Sequence, residues 1–331
     1  MLDDGRIRPA ETRASLAARA AWLSYVGGYR QEEIAERLHL SRVKVNRLIA
    51  EAHRDGLVRV FVDARAADCV ALEDALTRRF SLEFAVVAPN PDRTELPLLS
   101  LGTAGAQYLQ NVLDEGRHRI IGVGQGRTLS AVVECLPRLR RGGVTFVSLL
   151  GSVTRHIEAN PIDLIHRLAS RTDGEGHFLP LPFFLDSVAI RDRLLQESSL
   201  RPALDLAARA DLCLVGIGGV GGDDAYLRAT GMIGPDEAAD LAAQGAVGEL
   251  LGQFLDRDGR QVEVELSRRS PGPSLEQLRG RLVVAIAGGA TKVASIGAAL
   301  RSGILRGLIT DELTAREVLT PEITAARRSN P

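Results

Sequence analysis

The chain has 331 residues, 45% of them apolar and 25% charged, the composition of an ordinary soluble globular protein with room for two domains. Lys and Arg number 41 against 42 Asp and Glu, a net charge of −1, so any nucleic-acid contact must come from a local patch rather than from the chain as a whole. No apolar run reaches membrane-spanning length, the N-terminus lacks the apolar core of a signal peptide, and Cys69, Cys135 and Cys213 follow neither metal-binding nor disulfide spacing; a cytoplasmic protein without metal, cofactor or membrane partner is expected.

Residues 1–14 are polar and are expected to form a flexible tail. Residues 15–63 then show three short helical patterns followed by an alternating stretch. "LAARAAWLSYVGG" places Leu16, Ala20, Leu23 and Val26 on one stripe and stops at two glycines. "RQEEIAERL" sets Ile34 and Leu38 four residues apart. Ser41 is a natural N-cap for "RVKVNRLIAEAHRDG", which Gly56 ends, and "LVRVFVD" alternates like a strand. Each helix is too short to stand alone, so the three must share one core.

The third helix carries the chemistry. Val45, Leu48, Ile49 and Ala52 cluster on one side at 100° per residue, while Val43 and Arg47 point away, flanked by Lys44 and Asn46, with Arg42 in the first turn. Cations at a helix N-terminus oppose its dipole, which points to an external anion. An outward Val beside Asn and Arg suits a major groove, the methyls against thymine and the polar groups against base edges, with Lys44 on phosphate. The bland alternative is a solvated charged face. Helix, short turn and second helix favour a helix-turn-helix module, Gln31 to Leu38 crossing the DNA backbone and the helix capped by Ser41 reading bases. His39 stands where the bacterial pattern most often has glycine, and His tolerates the left-handed turn better than most residues.

Residues 64–80 read as a linker helix with Val70, Leu72, Leu76 and Phe80 as apolar candidates. Residues 81–320 alternate short strands and helices, an α/β domain with a mainly parallel sheet, whose clearest strands are "FAVVAP", "RIIGVG", "TFVSLL", "LCLVGIG" and "LVVAIAGG". "GIGGVGG" contains G-x-G-x-x-G at Gly216, Gly218 and Gly221, but neither a convincing phosphate-capping helix nor the expected acidic residue follows, which argues against a dinucleotide. "IGVGQGRTLSAV" sets Gly124, Gly126, Arg127 and Thr128 at a helix start, either an anion site or a tight turn that needs glycine. "AIAGGATKVASIGAAL" repeats the design with Gly288, Gly289 and Lys292. The chain has only two lysines, Lys44 and Lys292, and one inside a first helical turn is unfavourable unless something negative is bound, so Lys292 reads as a phosphate or carboxylate contact.

Together "GGYRQEEIAERLHLSRVKVNRLIAEAHRDGLVRV", "IIGVGQGRTLSAV", "AVGELLGQFLDRDG" and "AGGATKVASIGAALRSGILRGLITDELTAREVL" resemble the SorC family of bacterial sugar-responsive transcriptional regulators across residues 15–319. The resemblance implies a fold: a small N-terminal helix-turn-helix domain followed by a Rossmann-like effector and oligomerisation domain similar to sugar-phosphate isomerases and deaminases of the glucosamine-6-phosphate deaminase type. In those enzymes a G-x-x-K turn holds the phosphate, and Gly289 and Lys292 match it. It also implies a repressor or activator of carbohydrate metabolism, often a homotetramer, whose grip on double-stranded operator DNA responds to a sugar or sugar phosphate. Beside the glycine loops and Gly151-Ser152, the residues Asp186, Asp223, Asp224, Tyr226, Glu249, Asp256 and Asp311 are expected near sugar hydroxyls, part of that set serving instead as helix caps or turn residues. The Schiff-base lysine of one family member has no counterpart in "FVSLLGSV". The rival reading is a sugar-phosphate isomerase or deaminase with an accessory DNA module, for which His156, His166 and His177 are the acid–base candidates; none sits in a glycine-loop context, and no catalytic residue is expected.

Overall fold

The computed structural model describes residues 12–58, 67–90, 96–139, 142–152, 161–221 and 225–320, in two compact units, 1–65 and 66–331. In the first unit, helices α1 (Arg13–Tyr25), α2 (Gln31–Leu38) and α3 (Arg42–Arg54) share one small core. Thr12 caps α1 through the Ser15 N–H, so helix begins inside the stretch 1–14 expected as tail. The buried stripe of α1 is Ala17, Ala20 and Ala21 rather than a row of larger residues; Val26 lies past the helix end and is 69% exposed. Alanines let α1 lie close against α3, whose Val45, Leu48, Ile49 and Ala52 are buried as the periodicity requires. His39 ends α2 in the left-handed conformation at φ 53°, and Ser41 caps α3 by accepting the Lys44 N–H at 3.3 Å. The strand expected at the end of this unit falls largely on residues 59–66, outside the described residues.

The second unit opens on α4 (Ala67–Phe80), with Cys69 and Leu76 buried, Leu72 and Phe80 partly so, and Val70 exposed. There follow β1 (Phe84–Ala88), α5 (Leu98–Glu115), β2 (Ile120–Val123), α6 (Arg127–Cys135), β3 (Thr145–Ser148), α7 (Pro161–Thr172) and β4 (Glu175–His177). Next come α8 (Val188–Leu194), α9 (Arg201–Ala208), β5 (Leu212–Val215), β6 (Gly218–Gly219), α10 (Tyr226–Ala229), α11 (Pro235–Ala243), β7 (Gly248–Leu250), β8 (Gln253–Leu255) and β9 (Gln261–Val262). The chain finishes with α12 (Glu265–Arg268), α13 (Leu275–Leu278), β10 (Leu282–Ile286), a 3₁₀ turn at Ala290–Lys292, α14 (Val293–Arg301), β11 (Gly307–Asp311) and α15 (Glu312–Val318).

Seven strands form one parallel sheet in the order β1-β11-β10-β5-β2-β3-β4, and four short ones form an antiparallel sheet β6-β7-β8-β9. Alternate residues of the central strands feed two cores. Leu212, Leu214, Val284 and Ile286 enter the core that contains α5 and α6, while Cys213, Val215, Val283 and Ala285 enter the one that contains α14 and the antiparallel strands. This is the doubly wound α/β architecture that strands running into glycines suggest.

Strand order locates the crevice. From β2 the chain passes through α6 to β3 on one side, and from β10 it passes through α14 to β11 on the other, with β5 between them. Connections that leave neighbouring strands in opposite directions part at the carboxyl ends of those strands, and ligands of open α/β sheets bind there.

Candidate functional site

On the first unit, Ser41, Arg42, Val43, Lys44, Asn46 and Arg47 are all exposed and Gln31 is partly so. Val43 is 79% exposed, as its outward position on α3 requires. Arg42 is not a free cation: Glu32 of α2 pairs with it at 2.8 Å, between two exposed side chains. Gln31 reaches Asn46 at 3.5 Å, holding the two amides side by side.

On the second unit a cleft opens where β2, β5 and β10 end. It is lined by Gln125, Gly126, Arg127, Thr128, Leu150, Gly216, Ile217, Gly218, Tyr226, Glu249, Leu251 and Lys292.

The loop after β2 forms one end of the cleft. Gly126 caps α6 at φ 120°, a conformation other residues rarely adopt, yet a Cβ there would touch nothing within 4 Å, so the glycine serves the backbone turn alone. It offers no side-chain cap, and the first N–H groups of α6 have no intrahelical acceptor. Arg127 stands at that helix start. Lys292 comes from the 3₁₀ turn after β10 and faces the same cleft.

The antiparallel sheet supplies the acid. Glu249 on β7 is buried, accepts the Gly252 N–H at 2.5 Å, and has its pKa raised to about 7 by burial, against the opposing effects of that hydrogen bond and of Lys292. Lys292 is lowered to about 8, first by desolvation and then by the like charge of Arg127, with Glu249 acting in the opposite sense. The Tyr226 phenol is raised to about 12 by burial and by Glu249. Two cations and one easily neutralised acid thus share a pocket.

The sign of the pH dependence follows. Lys292 is cationic below about pH 8, and Glu249 gains negative charge above about pH 7. Both changes weaken anion binding as pH rises. Sulfate, which stays fully ionised, is expected to bind the full chain progressively less well between pH 6 and pH 9, on the order of tenfold in all, and Glu249→Gln is expected to flatten the lower part of that profile. Titration calorimetry across the range checks it.

The chain is 42% identical to the erythritol catabolism regulatory protein EryD of Brucella abortus over 310 residues, covering 94% of this chain and 98% of that one. It is 35% identical to the transcriptional regulator LsrR of Klebsiella pneumoniae over 307 residues, 92% of each. Among solved structures, the full-length sorbitol operon regulator SorC from Klebsiella pneumoniae matches with a TM-score of 0.69 at 26% identity, covering 93% of this chain and 99% of that one. The sugar-binding domain family model matches residues 64–320. The chain belongs to the SorC family of sugar-binding transcriptional regulators.

As a SorC-family member it is a transcriptional regulator, which favours that reading over an isomerase or deaminase. His166 and His177 do not line the cleft, and His156 lies outside the described residues. Among the described residues no cluster suits a metal ion, and no helix is long and apolar enough to cross a membrane.

Of the residues expected at the effector site, Gly126, Arg127, Thr128, Gly218, Tyr226, Glu249 and Lys292 come together in the cleft. Others have different work. Gly124 makes room for Leu251, whose Cδ2 lies 3.2 Å from where a Cβ would stand. Gly151 passes so close to Pro182 that a Cβ would overlap its carbonyl oxygen, and Ser152 bridges to Pro182 as a strand residue. Asp186 is exposed on a loop away from the cleft. Asp256 is a turn residue, its Oδ1 accepting the N–H groups of Asp258 and Arg260 at 2.9 and 2.8 Å. Asp223 and Asp224 lie outside the described residues.

The G-x-x-K turn differs from the expectation in detail. The Gly289 N–H, expected to bind the anion, is already given to Thr314 Oγ1 at 2.8 Å and Asp311 Oδ2 at 3.2 Å. A Cβ on Gly288 would stand 2.3 Å from Asp311 Oδ2. Gly288 and Gly289 therefore let Asp311 anchor the turn, and of Gly288, Gly289 and Lys292 only the lysine lines the cleft. Asp311 does not line the cleft; it caps α15 by accepting the Leu313 and Thr314 N–H groups.

Gln125, Leu150, Gly216, Ile217 and Leu251 line the cleft without having been singled out for it. Apolar residues and one amide inside motifs otherwise read for their glycines carry no distinguishing pattern. Leu251 was the least visible: with Gly252 it makes the two-residue β7–β8 hairpin, both at positive φ (52° and 79°), and a leucine there is against turn preference.

Proposed function

We propose that this regulator binds a short sugar or alditol monophosphate in the cleft, and that binding alters its hold on operator DNA through α3. The observation that carries the reading is the convergence of Arg127 and Lys292 in the cleft at the uncapped start of α6, where Glu249, of raised pKa, is the one acid lining the cleft among the described residues. A phosphate supplies the missing counter-charge. EryD is named for erythritol catabolism, which makes erythritol 4-phosphate the first compound to try. The assembly we propose is a homotetramer, as the family resemblance implies, which sedimentation of the full chain tests.

Within the unit 66–331, a chain of contacts links the same turn to α4. Gly289 is bonded to α15, Arg316 of α15 meets Asp68 of α4 at 3.2 Å, and Arg79 of α4 donates to the Leu319 carbonyl at 2.6 Å. The helix thus braced is the first described element after residues 59–66, which lead from the DNA unit. A ligand drawing Lys292 inward acts on this chain of contacts, and shifts the equilibrium only by its differential affinity for the two states.

On the DNA side, Asn46 and Arg47 are proposed to read base edges and Lys44 to hold phosphate. Asn46→Ala or Arg47→Ala is expected to cost about 1–3 kcal/mol at one base pair and to relax specificity there, whereas Lys44→Ala weakens all sequences alike and flattens the salt dependence. Anisotropy measurements on an operator and its single-base variants separate the two. Uniform weakening by Arg47→Ala would make it a phosphate contact. For the effector, anisotropy of the operator complex titrated with erythritol, erythritol 4-phosphate and other sugar phosphates is the test; indifference to every phosphorylated compound would remove the reading.

A further inference from the structure

Among the described residues that line the cleft, Gln125 alone has a buried side-chain amide, 8% exposed, whose Oε1 finds no hydrogen-bond partner. An unpaired polar atom in such a place is destabilising, and proteins retain few of them. Its backbone is fixed: Gly216 comes so close that a Cβ would stand 2.9 Å from the Gln125 carbonyl oxygen, and the next residue is the α6 cap. Across the cleft, Glu249 spends Oε1 on Gly252, while its Oε2 stands 2.6 Å from the place a Cβ on Gly218 would take. The glycines of G-x-G-x-x-G therefore bring a carboxyl and an amide to the cleft rather than a pyrophosphate.

We infer that Gln125 is a specificity-determining residue that pairs with a hydroxyl on the carbon chain of the effector, so that the site selects a polyol monophosphate over a phosphate ester with an apolar chain. This rests on the anion-site reading above. A phosphate oxygen is an acceptor and satisfies an amide in one orientation only; a hydroxyl both donates and accepts and satisfies it in either. The cleft divides accordingly. Arg127, Lys292 and the start of α6 hold the anion, and Gln125 and Glu249 hold the hydroxylated chain. Sites built to bond a hydroxyl reject the analogue lacking it, because their own buried groups are then left unpaired.

The test compares the full chain with its Gln125→Met variant by calorimetry against sulfate, butyl phosphate and erythritol 4-phosphate, together with melting of the ligand-free proteins. The wild type is expected to prefer erythritol 4-phosphate to butyl phosphate by at least tenfold. In Gln125→Met that preference shrinks by about tenfold, while the affinity for sulfate is unchanged. Tm of the ligand-free variant rises, since an apolar side chain of the same length replaces an unpaired amide; a merely structural Gln125 would give a lower Tm instead. Equal wild-type affinity for the two esters, undiminished preference in the variant, or a lower Tm overturns the role of Gln125 and leaves the anion site standing. Failure of sulfate and both esters to bind the wild type overturns both readings. A variant that does not fold counts as a lower Tm.

Discussion

Lys292→Met is expected to lower affinity for a phosphorylated effector by about ten- to a hundredfold, the equivalent of the roughly 1.5–3 kcal/mol carried by a charged hydrogen bond. Methionine keeps the length of the side chain and deletes its charge. Lys292 is partly buried beside Arg127, which disfavours its charged form, so the ligand-free variant should melt no lower than the wild type. Operator affinity without effector should hardly change, because Lys292 belongs to the unit 66–331 and α3 to the unit 1–65. Release of operator should then demand correspondingly more effector. Titration of operator complexes of both proteins with erythritol 4-phosphate measures all three quantities. Release at the wild-type concentration would show that Lys292 is not the anion ligand.

Asp311→Ala is expected to destabilise the protein by about 3 kcal/mol or more, a large share of the roughly 5–15 kcal/mol of a typical domain. The carboxylate is 1% exposed and accepts from Leu313, Thr314, Gly289 and Asn90. Its removal uncaps α15 and leaves buried donors short of partners. Because the other oxygen of the same carboxylate anchors the turn that presents Lys292, effector binding should fall as well. Urea melts should show a lower midpoint with an unchanged slope. Asp311→Asn keeps an acceptor for the cap but turns an NH₂ toward the Gly289 N–H, so it should recover part of the stability and little of the effector affinity. A variant that loses stability but binds effector normally would separate Asp311 from the site.

Much of the architecture is legible in the sequence because its signals are local. Ser41, His39 and the burial pattern of α3 come from capping, turn chemistry and a 3.6-residue period, each acting within a few residues. The buried strands β1, β2, β3, β5 and β10 stand out as apolar runs ending at or near turns. Lys292 is visible because a cation at a helix start in a lysine-poor chain needs a cause. The antiparallel sheet β6-β7-β8-β9 is not visible, since its strands are two or three residues long and exist only through pairing. The same limit hides the site. Gly151 and Gly288 look like anion loops, but their purpose is close approach to Pro182 and Asp311, partners distant in sequence, while Gly289 serves a turn at φ 105° whose N–H Asp311 accepts. Asp256 and Asp311 are short acids suited equally to turns, caps and sugars, and only the fold decides among these. Gln125 also needed the structure, because an amide carries meaning only once its Oε1 is known to be buried without a partner.

The most direct measurement is crystallographic: electron density of the full chain grown with erythritol 4-phosphate. The account predicts the phosphate against the first N–H groups of α6, within hydrogen-bonding reach of Arg127 and Lys292, and the hydroxylated chain directed toward Gln125 and Glu249. A phosphate bound elsewhere on the unit 66–331, or seated on the loop from Gly216 to Gly221 with Lys292 turned away, would contradict it.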